Sequence, residues 1–187
     1  GSSTFSAITP MGRQHENDRE ATAADLKWLA DPAEEPEPFG DGGTKMAWNT
    51  FNVVSIYPNG NPVMSDVNQR WVGDCCACAV IASMAYLYPR FVKHIIKDNM
   101  DKTYTVTMYD PKGKQISVGV GGDYFIGNSG DLGALGGRNK EVTWATILEK
   151  AMIKWNQIYQ GSSNVGGIGT EYVSAIFTGD GESVGFG

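Results

Sequence analysis

Residues 69–85 read QRWVGDCCACAVIASMA, and the fold turns on how this stretch is taken. The three cysteines of the chain, Cys75, Cys76 and Cys78, all lie in it. From Cys75 the run CCACAVIASMAYLY meets no helix breaker before Pro89. It is apolar nearly all round, which predicts a central helix buried within a domain. Pro89 lacks a backbone N–H and its ring crowds the preceding turn, so it should end or kink that helix. RFVKHII then suits a second short helix. Thiols gathered at the front of such a helix have four readings: metal ligands, a redox pair, a nucleophile, or small core side chains.

Geometry separates them. A structural zinc site needs four ligands, and beyond the cysteines the chain offers only His15 and His94 among soft donors. On a helix Cys75 and Cys78 share a face while Cys76 points roughly 100° away, so one ion cannot easily use all three. Cys75 and Cys78 also spell C-x-x-C at a helix start, the arrangement that lowers a thiol pKa in thioredoxin-like proteins. The βαβ pattern that motif requires is missing, and a thiol-disulfide oxidoreductase stays as an alternative. Core packing is common for free cysteine and suits Cys76 and Cys78. Cys75 differs. It follows the turn-forming pair Gly73-Asp74 and stands at the helix N-terminus, where the positive end of the dipole favours a thiolate.

The surroundings predict an α+β domain. A length of 187 residues suffices for one core. Apolar residues make up 41% and the 24 glycines promise many loops. A formal charge of −6 with no basic block argues against a nucleic-acid partner, and no apolar run is long enough to span a membrane. An odd number of cysteines, two of them adjacent, argues against a disulfide framework and leaves the compartment open.

Residues 1–44 read as an N-terminal arm, a propeptide or linker: a polar leader, a short helix over TAADLKWLA (Thr22 to Ala30), then DPAEEPEPFGDGG, whose prolines, acids and glycines suit an exposed strand-free segment. Residues 45–187 read as the compact domain. In it WNTFNVVSIYPNGNPVM gives a strand-like patch and a turn, and YTVTMYDPKGKQISVGV (Tyr104 to Val120) alternates around Asp-Pro-Lys-Gly as a β-hairpin does. A glycine-rich loop follows, with a brief strand at Asp123 to Ile126. TWATILEKAMIKWNQIY (Thr143 to Tyr159) carries a helical apolar stripe with Thr143 as N-cap, and a last helix is expected over Thr170 to Phe177.

Gln69-Arg70-Trp71-Val72-Gly73-Asp74-Cys75 followed by AVIASMA resembles the active-site segment of the calpain-like cysteine proteases, relatives of papain. The hairpin, the LEKA helix with its flanking tryptophans and the tail GGIGTEYVSAIFTG follow in the order and spacing of the first half of a calpain protease core. The resemblance implies the mainly helical, Cys-bearing half of a papain-like fold and a cysteine endopeptidase acting on polypeptides. It makes Cys75 the nucleophile and Gln69 the side-chain donor of the oxyanion hole. It places Asp66 where calpains hold a regulatory calcium ion, the one cofactor it implies, and Gly136 and Gly137 where substrate backbone would approach. Two departures stand out. Cys76 replaces the aromatic residue that follows the family's nucleophile, and the return strand QISVGV offers no second acid for calcium. The family's catalytic histidine and asparagine come from a second half, the expected partner. His94 would lie roughly 28 Å from Cys75 along a continuous helix, too far to replace it, and a binding module derived from a protease is the remaining alternative.

Overall fold

The fold is described from a computed structural model for residues 19–38, 40–41, 44–45, 47–70, 75–126, 132–165 and 170–179. Its first element, α1 (Ala23–Ala30), starts where the sequence puts a cap: Thr22 Oγ1 accepts from the Asp25 N–H at 3.1 Å and the Asp25 carboxylate accepts from the Thr22 N–H at 2.9 Å. Such a reciprocal box satisfies two of the donors a helix start leaves open. Two short strands, β1 (Gly40–Asp41) and β2 (Thr44–Lys45), pair antiparallel.

Strand β3 (Ala47–Thr50) crosses the chain to pair antiparallel with β7 (Asp123–Ile126). A three-stranded antiparallel sheet forms from β4 (Ile96–Asp98), β5 (Tyr104–Tyr109) and β6 (Gln115–Val120), in that order. The β5–β6 hairpin is the one expected. Tyr104, Val106 and Met108 point inward from β5, opposite Val120, Val118 and Ile116 of β6, as period-two alternation requires. Its turn closes because Asp110 Oδ1 accepts from the N–H groups of Lys112 and Lys114 at 2.9 and 2.8 Å, and Gly113 takes the positive φ of 85° that a side chain would resist.

The cysteine helix, α2 (Cys75–Leu87), ends ahead of Pro89, which opens α3 (Pro89–Ile95) at its first turn. Helix α4 (Trp144–Gln160) is capped by Thr143, whose Oγ1 accepts from the Ala145 N–H at 3.2 Å, and α5 (Thr170–Thr178) closes the described chain. Helix α4 lies against β6, while α5 packs on β5 and on α2.

Two expectations are corrected. Helix α2 is not enclosed all round: Ala77, Val80, Ile81, Met84 and Ala85 are buried, but Ala79 is exposed and Tyr86 and Leu87 are 72% and 44% exposed. The enclosed helix is α4, whose polar side is buried as well as its apolar stripe, including Glu149, Lys150 and Lys154. The second correction explains the first. The segment after α1, read from composition as an exposed arm, runs along α4 and covers it. Lys150 Nζ meets both Glu35 carboxylate oxygens at 2.8 and 3.0 Å and also donates to the Asp123 carbonyl. Lys154 Nζ donates to the carbonyls of Asp31 at 2.9 Å and Gly119 at 2.8 Å. Indole Nε1 of Trp48 reaches the Pro36 carbonyl at 3.0 Å, and Leu29 of α1 is fully buried. A Cβ on Gly119 would stand 2.5 Å from the Ala30 carbonyl oxygen, so only glycine lets the segment pass.

Candidate active site

Cys75 is the first residue of α2, so its backbone lies where free N–H groups and the positive end of the helix dipole gather. Gly73 and Asp74 fall outside the described residues, as does the side chain of Cys75. Cys76 and Cys78 are half-buried and outside any disulfide, with Cys78 packed against the core. His94 sits exposed on α3, and His15 falls outside the described residues.

The strip leading to the cysteine is held from both sides of Gln69. Before it, Asn68 forms an antiparallel bridge with Gly136: its N–H donates to the Gly136 carbonyl at 2.9 Å and its own carbonyl accepts from the Gly136 N–H at 3.4 Å. The Asn68 side chain adds bonds of 2.9 Å to the carbonyls of Ser65 and Gly136. After it, the Arg70 guanidinium donates to the Gly137 carbonyl. Gln69 itself is exposed. A side chain carried between two anchored neighbours loses little further backbone freedom when it binds.

Gly136 and Gly137 therefore neighbour Gln69, but in another capacity than expected. Both are buried. The Gly136 carbonyl is taken by Asn68, the Gly137 carbonyl by Arg70 and by the Lys140 N–H at 3.0 Å, and the Gly137 N–H by the Glu141 carbonyl at 3.0 Å. A Cβ on Gly136 would stand 2.6 Å from both the Glu141 carbonyl oxygen and Leu132 Cδ2, and the Glu141 carboxylate occupies the place of a Cβ on Gly137. The missing side chains make room for the protein's own turn. Asn68 and Arg70 are the supports that sequence reasoning missed; adjacency to Gln69 was their only signal.

Asp66 closes the short 3-10 turn Met64–Asp66 and is 2% exposed. Its carboxylate accepts from Asn59 Nδ2 at 3.0 Å, the Val63 N–H at 3.2 Å and Trp144 Nε1 at 2.8 Å. Its carbonyl accepts from Thr143 Oγ1 at 3.0 Å. Three N–H donors aimed at one carboxylate make Asp66 a structural acceptor. No three His, Cys, Asp or Glu side chains among the described residues are grouped to hold a metal. What Asp66 does is tie the start of α4 to the strip bearing Gln69.

The described residues supply an exposed Gln69, buried glycines bonded to both of its neighbours, and, six residues on in the chain, a helix that begins with cysteine. Neither the protein-family models nor the curated proteins include a match to this sequence, and the chemistry of the region rests on its own residues.

Proposed function

We propose that this chain is the nucleophile-bearing half of a papain-like cysteine endopeptidase of the calpain type. The observation that carries the reading is the coincidence of Cys75 with the first position of α2, six residues after an exposed Gln69 whose neighbours are both anchored. A helix N-terminus favours thiolate over thiol, and the thiolate is the attacking species. In the proposed reaction a histidine of the partner half takes the Cys75 proton and the sulfur attacks the scissile carbonyl. The Gln69 side-chain N–H and the Cys75 backbone N–H then hold the oxyanion, the amine leaves with the histidine's proton, and water releases the acyl group. The open side of α2, with Ala79, Tyr86 and Leu87 exposed, is the face on which the partner half would close. Calcium has no part in this proposal.

The test is thiol labelling followed by site assignment in a mass spectrometer. At pH 6, iodoacetamide is expected to modify Cys75 at least about tenfold faster than Cys76 or Cys78, because Cys75 stands foremost at the helix end while Cys76 and Cys78 are half-buried. Equal rates at the three sites would sink the reading. Reversible formation of a Cys75–Cys78 disulfide in glutathione buffers would put a redox protein in its place. In protein complemented with the histidine half, Gln69→Ala is expected to lower turnover by roughly 10²- to 10³-fold while leaving the alkylation rate unchanged.

A further inference from the structure

Asn59-Gly60 is the only Asn-Gly pair in the chain, and the structure gives each member its own reason to be there. The pair completes a turn over residues 57–60, closed by the Gly60 N–H donating to the Tyr57 carbonyl at 2.9 Å. Gly60 takes a φ of 82°, which a side chain would resist. Asn59 Nδ2 donates to the Asp66 carboxylate at 3.0 Å, and is one of the three N–H donors that hold that buried acid. Backbone conformation thus selects the glycine, and the tie to Asp66 selects the asparagine.

Their adjacency has a chemical consequence. The side-chain carbonyl carbon of an asparagine can close a ring with the next main-chain nitrogen, and glycine puts no side chain in the way. Asn59 and Gly60 are both exposed, and even a Cβ built on Gly60 would meet nothing within 4 Å. In the folded turn the Gly60 N–H is held by Tyr57 and the Asn59 amide by Asp66, so both bonds must open before the ring closes. Each such bond is worth about a factor of ten net, and an exposed turn opens locally without unfolding the domain.

We infer that Asn59-Gly60 is a site of self-modification, at which Asn59 deamidates to aspartate or isoaspartate and the tie to Asp66 is lost. The Gly60 nitrogen attacks Asn59 Cγ, a C–N bond forms, the Cγ–Nδ2 bond breaks, and ammonia leaves with the proton of the Gly60 N–H. Water then opens the cyclic imide at either carbonyl, with no change of oxidation state. The product has exchanged a donor to Asp66 for a second carboxylate. The other two donors to Asp66 are uncharged, and Lys93, whose Nζ donates to the Gly60 carbonyl at 3.1 Å, is exposed, so little offsets the repulsion. Because Asp66 ties the start of α4 to the strip bearing Gln69, the modification loosens both. The site stands or falls without the protease reading.

Peptide mapping of the full chain incubated at pH 8, folded and in concentrated urea, tests it. In the folded chain Asn59 is expected to convert ahead of every other asparagine, and within roughly a hundredfold of its rate in urea. Earlier conversion of another asparagine, or protection of Asn59 by more than that factor, would overturn the site. Asn59→Ala removes only the donor, whereas Asn59→Asp adds the charge as well, so urea midpoints are expected to fall from wild type to Asn59→Ala to Asn59→Asp. A midpoint for Asn59→Asp equal to or above that of Asn59→Ala would overturn the effect on Asp66. Should Asn59→Asp fail to fold by circular dichroism, the aged chain, mapped as converted at Asn59, is compared with fresh chain instead: a lower midpoint is expected, and an unchanged one would overturn the effect.

Discussion

Replacing Asp66 by alanine would strand three donors at once, the Asn59 amide, the Val63 N–H and the Trp144 indole, in a place where water does not reach. Each buried donor left unpaired costs on the order of 1–3 kcal/mol, so Asp66→Ala is expected to lose about 3 kcal/mol or more in urea denaturation, and Asp66→Asn, which keeps one acceptor oxygen, about half as much. A loss below roughly 0.5 kcal/mol would mean that these bonds do not form. Gly136→Ala follows the same logic by sterics. Its methyl would meet the Glu141 carbonyl and Leu132, and since neither backbone nor packed leucine yields easily, a cost of about 1–3 kcal/mol is expected. Because Gly136 also backs Asn68, slower turnover should accompany the lost stability. At this scale the sequence marks Gln69 and Cys75 through their spacing. The duties of Asp66, Gly136 and Gly137 were not legible, because a carboxylate looks alike whether it faces a cation or an indole, and a glycine alike whether it admits a substrate or a neighbour's carboxylate.

Elements were more legible, since local chemistry specifies them. Thr22 and Thr143 cap the helices they precede, Pro89 divides α2 from α3, and the Asp-Pro-Lys-Gly turn builds the hairpin in register. What local pattern does not reveal is the second face of α4. Its lysines fall on the side that a stripe of tryptophan, isoleucine and leucine assigns to solvent, yet Lys150 and Lys154 are buried beneath a segment more than a hundred residues earlier in the chain. Burial lowers the Lys154 pKa from its ordinary 10.5 to about 8, and lowers that of Lys150 too despite Glu35. The pH dependence follows. Below about pH 8 Lys154 is protonated whether folded or unfolded and stability is flat; between there and its unfolded value the unfolded chain binds the extra proton, so stability rises with pH. Above about pH 10 the buried tyrosines oppose the trend, since burial raises their pKa and unfolding releases their protons. Urea midpoints are therefore expected to rise between pH 8 and 9.5, by up to about 1 kcal/mol per pH unit, and the rise should shrink in Lys154→Met. A midpoint that falls over this interval in the unaltered chain would contradict the burial of that ammonium.

For the molecule as a whole, the segment from Thr22 to Glu37 decides where the domain begins. Composition marks its second half, from Asp31 on, as an arm, because prolines and acids favour neither helix nor strand and carry no apolar period. Its hold on the domain is of a kind composition does not display: single bonds from the main chain or an isolated side chain to distant partners. The Asp31 carbonyl serves Lys154, Glu35 serves Lys150, the Pro36 carbonyl serves Trp48, and the Glu37 N–H donates to Gln157 at 2.7 Å. Removing the segment would open the core site that Leu29 fills and the face of α4 that carries Lys150 and Lys154, forfeiting that burial and the bonds across it. Losses of a few kcal/mol are a large share of the stability of a domain this size. Deletion of residues 1–38 should abolish cooperative unfolding in calorimetry or drive the chain into aggregates. A propeptide meant to leave would behave oppositely, its removal sparing the fold. A shortened chain beginning after residue 38 that melts in one sharp transition near the original temperature would restore the arm to the role its composition suggests.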